Sequence, residues 1–208
     1  MEEQILETTI VNKNAVERIY PDDKRVKPQT IAHHKARYQF ATQIQEAKGR
    51  SLDLACGTGY GTEMLRKAGY NAKGIDISPE AYEFARKSYP QCDFLLEDIL
   101  KPEIFRNPYQ LITMFEAIEH FPYMEGVKLI ERLSNFVLKD GFFILSTPKD
   151  TNDKYNTFHK SEWGYATIKN ICGSYFENVK IYGQDWDTAE ISDDNVRNND
   201  FYIAVCQR

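Results

Sequence analysis

Between residues 50 and 150 the chain alternates short apolar segments with segments of helical spacing, and no other feature constrains its fold as strongly. Residues 50–54, 71–77, 92–96, 109–115 and 142–145 read as strands, and the near-continuous apolarity of 109–115 suits burial on both faces. Helical signals lie between them. Residues 62–68 follow a glycine loop, Ser78-Pro79-Glu80 places an N-cap, a first-position proline and a first-turn acid, and 124–138 carry Val127, Ile130, Leu133, Phe136 and Val137 at helical intervals. Lys139-Asp140-Gly141 reads as a turn. A helix over 161–175 and alternating strands over 177–185 and 200–206 complete the pattern. Strand–helix alternation in this order predicts an α/β fold, a doubly wound Rossmann-like sheet with helices on both faces. The closing strand pair has no helix between its members, so the expectation is a seven-stranded mixed sheet with the last strand antiparallel.

At roughly 100–200 residues per domain, 208 residues hold one such domain, assigned to 49–208, and a short appendage over 1–48. In the appendage, 1–28 is polar and broken by Pro21 and Pro28, whereas 30–48 lacks glycine and proline and sets Ile31, Tyr38, Ala41, Ile44 and Gln45 on one helical face. A net charge of −5 without a basic stripe disfavours long nucleic acid as a partner and leaves a small-molecule acceptor in view. No apolar run approaches the roughly 20 residues of a membrane helix, and the start, Met1-Glu2-Glu3-Gln4, lacks the basic and apolar regions of a signal peptide. Cys56, Cys92, Cys172 and Cys206 form no C-x-x-C pair and read as reduced thiols, so a cytoplasmic location is expected. Composition does not set the oligomeric state.

The loop Asp53-Leu54-Ala55-Cys56-Gly57-Thr58-Gly59-Tyr60-Gly61 joins the first strand to a helix. Glycines there let the backbone turn tightly and approach a ligand without a Cβ in the way. Asp76 follows Gly57 by 19 residues at the end of the next strand, the spacing of a carboxylate that binds the two ribose hydroxyls of an adenosine. Asp98 closes the third strand, placed to meet the adenine edge with Ile77 and Ile99 against the ring. A nicotinamide dinucleotide is the rival ligand, but it would require a small residue at Thr62, and the Asp53 carboxylate opposes a pyrophosphate. A glycine turn with no ligand is the remaining reading. An acid facing the loop suits S-adenosylmethionine, which carries an ammonium and a sulfonium and no phosphate. The candidate cofactor-binding residues are Asp53, Ala55, Gly57, Gly59, Asp76, Ile77, Asp98, Ile99 and Glu116.

Taken in order, Asp53 to Gly61, Gly74-Ile75-Asp76, Glu97-Asp98, Phe115-Glu116-Ala117-Ile118-Glu119-His120 and the stretch from Leu138 to Pro148 resemble the successive motifs of class I S-adenosylmethionine-dependent methyltransferases. Ala55 stands where the first loop glycine is usual, and Asp140-Gly141 where Gly-Gly is common. Upstream, Glu17-Arg18-Ile19-Tyr20-Pro21 and His34-Lys35-Ala36-Arg37-Tyr38-Gln39-Phe40-Ala41 resemble the lid segment of bacterial methyltransferases associated with sugars and surface glycans. That resemblance makes 1–48 an N-terminal arm and lid helix and lays Arg37 and Tyr38 over the cofactor; alternatively, Tyr38 only packs its own helix.

Methyl transfer displaces in line at a carbon already activated by its sulfonium, so the protein has to orient the acceptor and manage its proton. Glu116 ends the fourth strand, Glu119 and His120 follow within a turn, and His159 lies beyond the neighbouring strand in Asn156-Thr157-Phe158-His159-Lys160-Ser161-Glu162-Trp163. Three readings of the catalytic candidates Glu119, His120 and His159 stay open. Glu119 and His120 cap the next helix or pair together while His159 is an exposed loop residue; or His120 is a general base near neutral pH; or Glu116, Glu119, His120 and His159 bind a divalent metal. E-x-x-E-H followed by H-K-x-E-W resembles the metal site of small-RNA 3′-terminal 2′-O-methyltransferases. Two carboxylates and two imidazoles would suit Mn, Fe, Co or Zn, with Mg less favoured, and the ion would lower the pKa of an acceptor hydroxyl. Residues 185–200 hold Asp185, Asp187, Glu190, Asp193, Asp194 and Asp200 without the glycine of a calcium loop, and read as a solvated, mobile loop able to serve as a substrate lid. Trp163 and Trp186 read as core residues. Together these readings describe an S-adenosylmethionine-dependent enzyme that O-methylates a small hydroxylated acceptor such as a sugar or nucleotide sugar. The alternatives are a metal-dependent RNA 2′-O-methyltransferase and a non-catalytic cofactor-binding sensor or partner subunit.

Overall fold

The apolar segments pair laterally through their backbones while their side chains meet helices above and below. A computed structural model describes residues 19–20, 26–149 and 158–208. Glu17, Arg18 and Pro21 of the arm motif, and Asn156 and Thr157 ahead of His159, lie outside the described residues. The strands are β1 (Arg50–Leu54), β2 (Asn71–Asp76), β3 (Asp93–Leu96), β4 (Tyr109–Phe115), β5 (Val137–Pro148), β6 (Asn178–Gln184), β7 (Ile191–Ser192) and β8 (Phe201–Gln207). The helices are α1 (Pro28–Gln43), α2 (Tyr60–Lys67), α3 (Pro79–Ser88), α4 (Tyr123–Ser134) and α5 (Tyr165–Gly173).

All eight strands form one sheet in the order β3-β2-β1-β4-β5-β8-β6-β7. Strands β1 to β5 pair in parallel, and β8 runs antiparallel to both β5 and β6. The expected seven-stranded mixed sheet is present, and the two-residue β7 adds an eighth strand at one edge, antiparallel to β6. The chain winds outward from β1 on one side and from β4 on the other, which opens a crevice at the carboxyl ends of these two central strands. Leu52, Leu54, Ile112, Met114 and Leu145 are buried among helices, as strands covered on both faces require. One core holds Leu129, Leu133 and Ile168 of α4 and α5, and the other holds Tyr38, Ala41 and Leu65 of α1 and α2. Ser78 caps α3, its hydroxyl accepting from the Ala81 N–H at 3.3 Å with Pro79 at the first position.

Several boundaries differ from the sequence expectation. Helix α4 stops at Ser134, and Val137 opens β5, which runs through Lys139-Asp140-Gly141 to Pro148 without a turn. The pairing register slips between Tyr109–Val137 and Leu111–Phe142, so a bulge takes up the residues expected to turn. Gly141 is required there, because a Cβ would lie 2.9 Å from the Gln110 carbonyl oxygen. Helix α1 ends at Gln43, and α5 begins only at Tyr165. Ser161 is withheld from α5 by tertiary hydrogen bonds: its hydroxyl donates to the Phe121 carbonyl at 2.7 Å and accepts from Trp163 Nε1 at 2.8 Å. Trp163 is buried in the core, as expected, but Trp186 is half-exposed and stacks on His33 at 4.6 Å. The 185–200 segment, expected to be mobile, is anchored to α1, with Gln29 Nε2 donating to the Trp186 and Asp187 carbonyls at 2.8 and 2.6 Å. The four cysteines are free thiols. Among the described residues no helix is long and apolar enough to cross a membrane.

Candidate active site

The turn leaving β1 takes left-handed backbone conformations at Ala55, Gly57 and Gly59, with φ of 53°, 54° and 82°. The two glycines serve different ends. Nothing stands within 4 Å of a Cβ placed on Gly57, whose bare face opens on a cavity, whereas a Cβ on Gly59 would meet Ala85 and Phe94 at 2.7 Å. Asp76, at the end of β2, is held by two amides: Gly57 N–H donates to Oδ2 at 2.8 Å and Ser78 N–H to Oδ1 at 2.9 Å. Above the loop, Thr58 Oγ1 donates to the Ile19 carbonyl at 2.6 Å, which ties the arm to the turn.

The cavity, about 360 Å³, lies in the crevice beside this loop. Of the sequence candidates, Tyr38, Ala55, Gly57, Asp76, Ile77, Glu116 and His120 line it. Five other cofactor candidates, Arg37, Asp53, Gly59, Asp98 and Ile99, stand outside the lining. Asp98 turns away to accept from the Leu100 N–H at 2.9 Å, and Ile99 is buried in the core. Gly59 packs against α3. Arg37, expected over the cofactor, is fully buried and serves as counter-ion to Glu116, with Nη1 3.2 Å from Oε1. Its Nε also donates to Gln184 Oε1 at 2.7 Å, and the guanidinium lies over the Phe201 ring at 4.4 Å.

Asp53 lies outside the cavity lining. Instead of facing a cationic ligand, its buried carboxylate is closed off by three hydroxyls, Tyr38 at 3.0 Å, Thr62 at 2.7 Å and Thr113 at 2.8 Å. It is a strut joining α1, α2 and β4 beneath the loop. Burial raises its pKa from 3.8 to about 6, against the lowering effect of the three hydroxyls, and the nearby Asp76 charge adds to the rise.

At the other end of the cavity Glu119, His120 and His159 come together, with one ligand atom from each within 4.8 Å of the others. The two imidazole rings meet edge to face at 5.2 Å. Glu119 is buried, accepts from Thr147 Oγ1 at 3.0 Å, and has its pKa pushed well up by burial and then by the Glu116 charge. Its backbone carbonyl accepts from the N–H groups of Lys160 and Ser161 at 2.8 and 3.2 Å, which pins the 158–161 segment to the end of β4. Glu116, counted with these three as a metal ligand in the sequence, stays outside the cluster; its Oε1 pairs with Arg37 and accepts from the Ser146 hydroxyl at 2.7 Å. The capping alternative is not observed, since α4 starts after Pro122 without a side-chain cap, and His159 is half-buried beside His120. Sequence reasoning assigned no role to His34 and Lys160, both of which line the cavity, or to Thr62, Thr113, Ser146 and Thr147. The hydroxyls inside β4 and β5 carried a signal, because a polar side chain in an apolar strand must find a buried partner.

The glycine turn, the acid closing β2 and the strand order define a class I methyltransferase fold. Residues 27–184 match a family model described as a methyltransferase domain, and the chain belongs to that family. The chain is similar to ubiquinone biosynthesis O-methyltransferases. It is 28% identical to that of Actinobacillus pleuropneumoniae over 53% of this chain and 52% of that protein. It is 27% identical to the mitochondrial protein of Candida albicans over 74% and 48%. It therefore spans about half the length of these curated relatives. Among solved structures it superimposes on an S-adenosylmethionine-dependent methyltransferase of Archaeoglobus fulgidus with a TM-score of 0.70, at 16% identity over 88% of this chain and 96% of the other. It also superimposes on the small RNA methyltransferase HEN1 with a TM-score of 0.65, at 21% identity over 90% of this chain and 28% of the other.

Proposed function

We propose that the protein transfers a methyl group from S-adenosylmethionine to a hydroxyl of a small acceptor, with Glu119, His120 and His159 able to hold a divalent cation beside that hydroxyl. One observation carries the reading: a single cavity joins the glycine turn and Asp76 at one end to His120, a member of the triad, at the other. The cofactor fits the chain's own features, since Gly57 presents open space where a Cβ would intrude, and Asp76 faces the cavity with its carboxylate already oriented by two amides. When bound, it supplies a methyl carbon activated by sulfonium.

Asp76 offers acceptor oxygens to a pair of hydroxyls, and Tyr38 and Ile19 cover that end. Phe121 and Phe158 add apolar rings to the lining. Without an ion, His120 stands where it can accept a proton from the acceptor hydroxyl. One carboxylate and two imidazoles form a donor set suited to a first-row divalent ion, which would lower the hydroxyl's pKa. Support for oxygen as the methylated atom comes from the relatives' names, and the lid resemblance adds sugars and nucleotide sugars to the acceptor classes. The chain's net charge of −5 weighs against a long RNA.

Calorimetry with S-adenosylhomocysteine tests the cofactor assignment, with Asp76→Ala expected to weaken binding by about 100-fold through loss of charge-assisted hydrogen bonds. Tighter binding of NAD than of S-adenosylhomocysteine would overturn it. Labelled transfer to pools of sugars, nucleotide sugars, quinols and short RNAs then identifies the acceptor class. Elemental analysis of protein purified without chelator should find a near-stoichiometric divalent ion that disappears in His159→Ala; full activity without any ion would leave His120 as the base.

A further inference from the structure

We infer that the methyl acceptor carries an anionic group, a carboxylate or a phosphate, and that Lys160 is the residue that grips it; this rests on the methyltransferase reading above. The two ends of the cavity differ in charge. Near the loop the two acids already have partners within the protein: Asp76 the Gly57 and Ser78 amides, and Glu116 Oε1 the Arg37 guanidinium and the Ser146 hydroxyl. Lys160, His34 and His120 also line the cavity, together with Phe121 and Phe158. Burial, and then Arg37 and His33, hold the His34 imidazole well below its usual range, and Lys160 is the one Lys or Arg among the described lining residues.

Among the described residues no carboxylate pairs with the Lys160 ammonium, and no hydrogen bond from it is present. Yet its backbone is firmly placed. The Lys160 N–H donates to the Glu119 carbonyl at 2.8 Å and the Ser161 N–H to the same oxygen at 3.2 Å, so the side chain starts one residue beyond His159 of the triad. Lys160 is exposed at the cavity beside the triad, and among the described residues no carboxylate pairs with it, so it adds positive charge there in a chain whose net charge is −5. An anionic acceptor supplies a partner, and a lysine ammonium, a point charge with three rotatable donors, accommodates carboxylate and phosphate alike. A neutral acceptor leaves that charge unused.

The test is calorimetric titration of S-adenosylhomocysteine-loaded protein with matched probes: 3,4-dihydroxybenzoate against catechol, and UDP-glucose against glucose. In at least one pair the anionic member should bind about tenfold more tightly than its neutral partner, the size of a single charge-assisted contact. That preference should vanish in Lys160→Ala and persist in Lys160→Arg, with affinity for the neutral probe unchanged. The pair showing it tells carboxylate from phosphate. Equal affinities within both pairs, a preference that survives Lys160→Ala, or no heat from either anionic probe at millimolar concentration overturns the inference while leaving the methyltransferase reading intact. Failure to bind S-adenosylhomocysteine, visible before any probe is added, overturns both.

Discussion

Asp53→Asn should flatten the dependence of stability on pH, because it removes a carboxylate that ionises at a cost inside the fold. Burial lifts the Asp53 pKa from 3.8 to about 6 even though three hydroxyls donate to it. Its folded-state pKa therefore lies above its unfolded value. Below pH 3.8 both states are protonated and nothing is lost; between 3.8 and about 6 the folded state loses stability as pH rises; above about 6 the full penalty is present. A shift of about two units at 1.36 kcal/mol each makes that penalty about 3 kcal/mol. Asparagine has the same shape, never ionises, and can exchange donor and acceptor roles with the threonine hydroxyls. Urea unfolding of both proteins from about pH 4 to about pH 8 should show the wild type losing about 3 kcal/mol more than the variant across that range. The corresponding difference in Tm is about 6–12 °C for a chain of this size. Other titrating groups are common to both proteins, so the comparison isolates Asp53. Parallel pH curves would show that Asp53 ionises normally and that the dry strut beneath the loop is wrongly described.

Gly61→Ala places a Cβ on the Tyr38 ring, which is fixed by its bond to Asp53 and by edge contact with Phe115 at 4.9 Å. The variant should bind S-adenosylhomocysteine about tenfold more weakly by calorimetry, and normal binding would detach α1 from the site. Arg37→Met removes the buried counter-ion of Glu116 and should cost about 3 kcal/mol in urea unfolding, with much of the loss recovered in the Arg37→Met/Glu116→Gln double variant. Absence of recovery would mean that the two charges are not coupled. Thiol reagents should react slowly with the native protein at mildly alkaline pH, since three cysteines are buried and burial and Glu63 push the half-buried Cys92 up to about 12. A stoichiometric fast phase would contradict that packing.

Local pattern was enough for much of this architecture. Apolar runs located the strands of the central sheet, Ser78-Pro79 marked the start of α3, and the spacing from Gly57 to Asp76 anticipated a carboxylate at the mouth of the cavity. Pattern failed where a distant partner decided the outcome. Lys139-Asp140-Gly141 looks like a turn in isolation, but pairing with β4 draws it into a bulged strand. The acids of the 185–200 segment suggested a loose loop, whereas Gln29 and His33 of α1 hold its backbone. Asp53 near the end of β1 and Asp98 just beyond β3 both sit where a ligand-facing acid is plausible, yet each is satisfied by groups of the protein itself.

By itself the sequence determined the strand–helix alternation, the glycine turn, the acid that follows it and the residues of the Glu119, His120 and His159 triad, because each depends on residue type and short-range spacing. Tertiary structure alone decided which charges meet. Arg37 pairs with Glu116, and the Glu119 carbonyl captures the backbone of Lys160 and Ser161, so that a segment some forty residues away closes the site. Ion pairs and hydrogen bonds fall off within a few ångströms, and separations that small between remote residues are set only when the sheet and its two helical layers have packed.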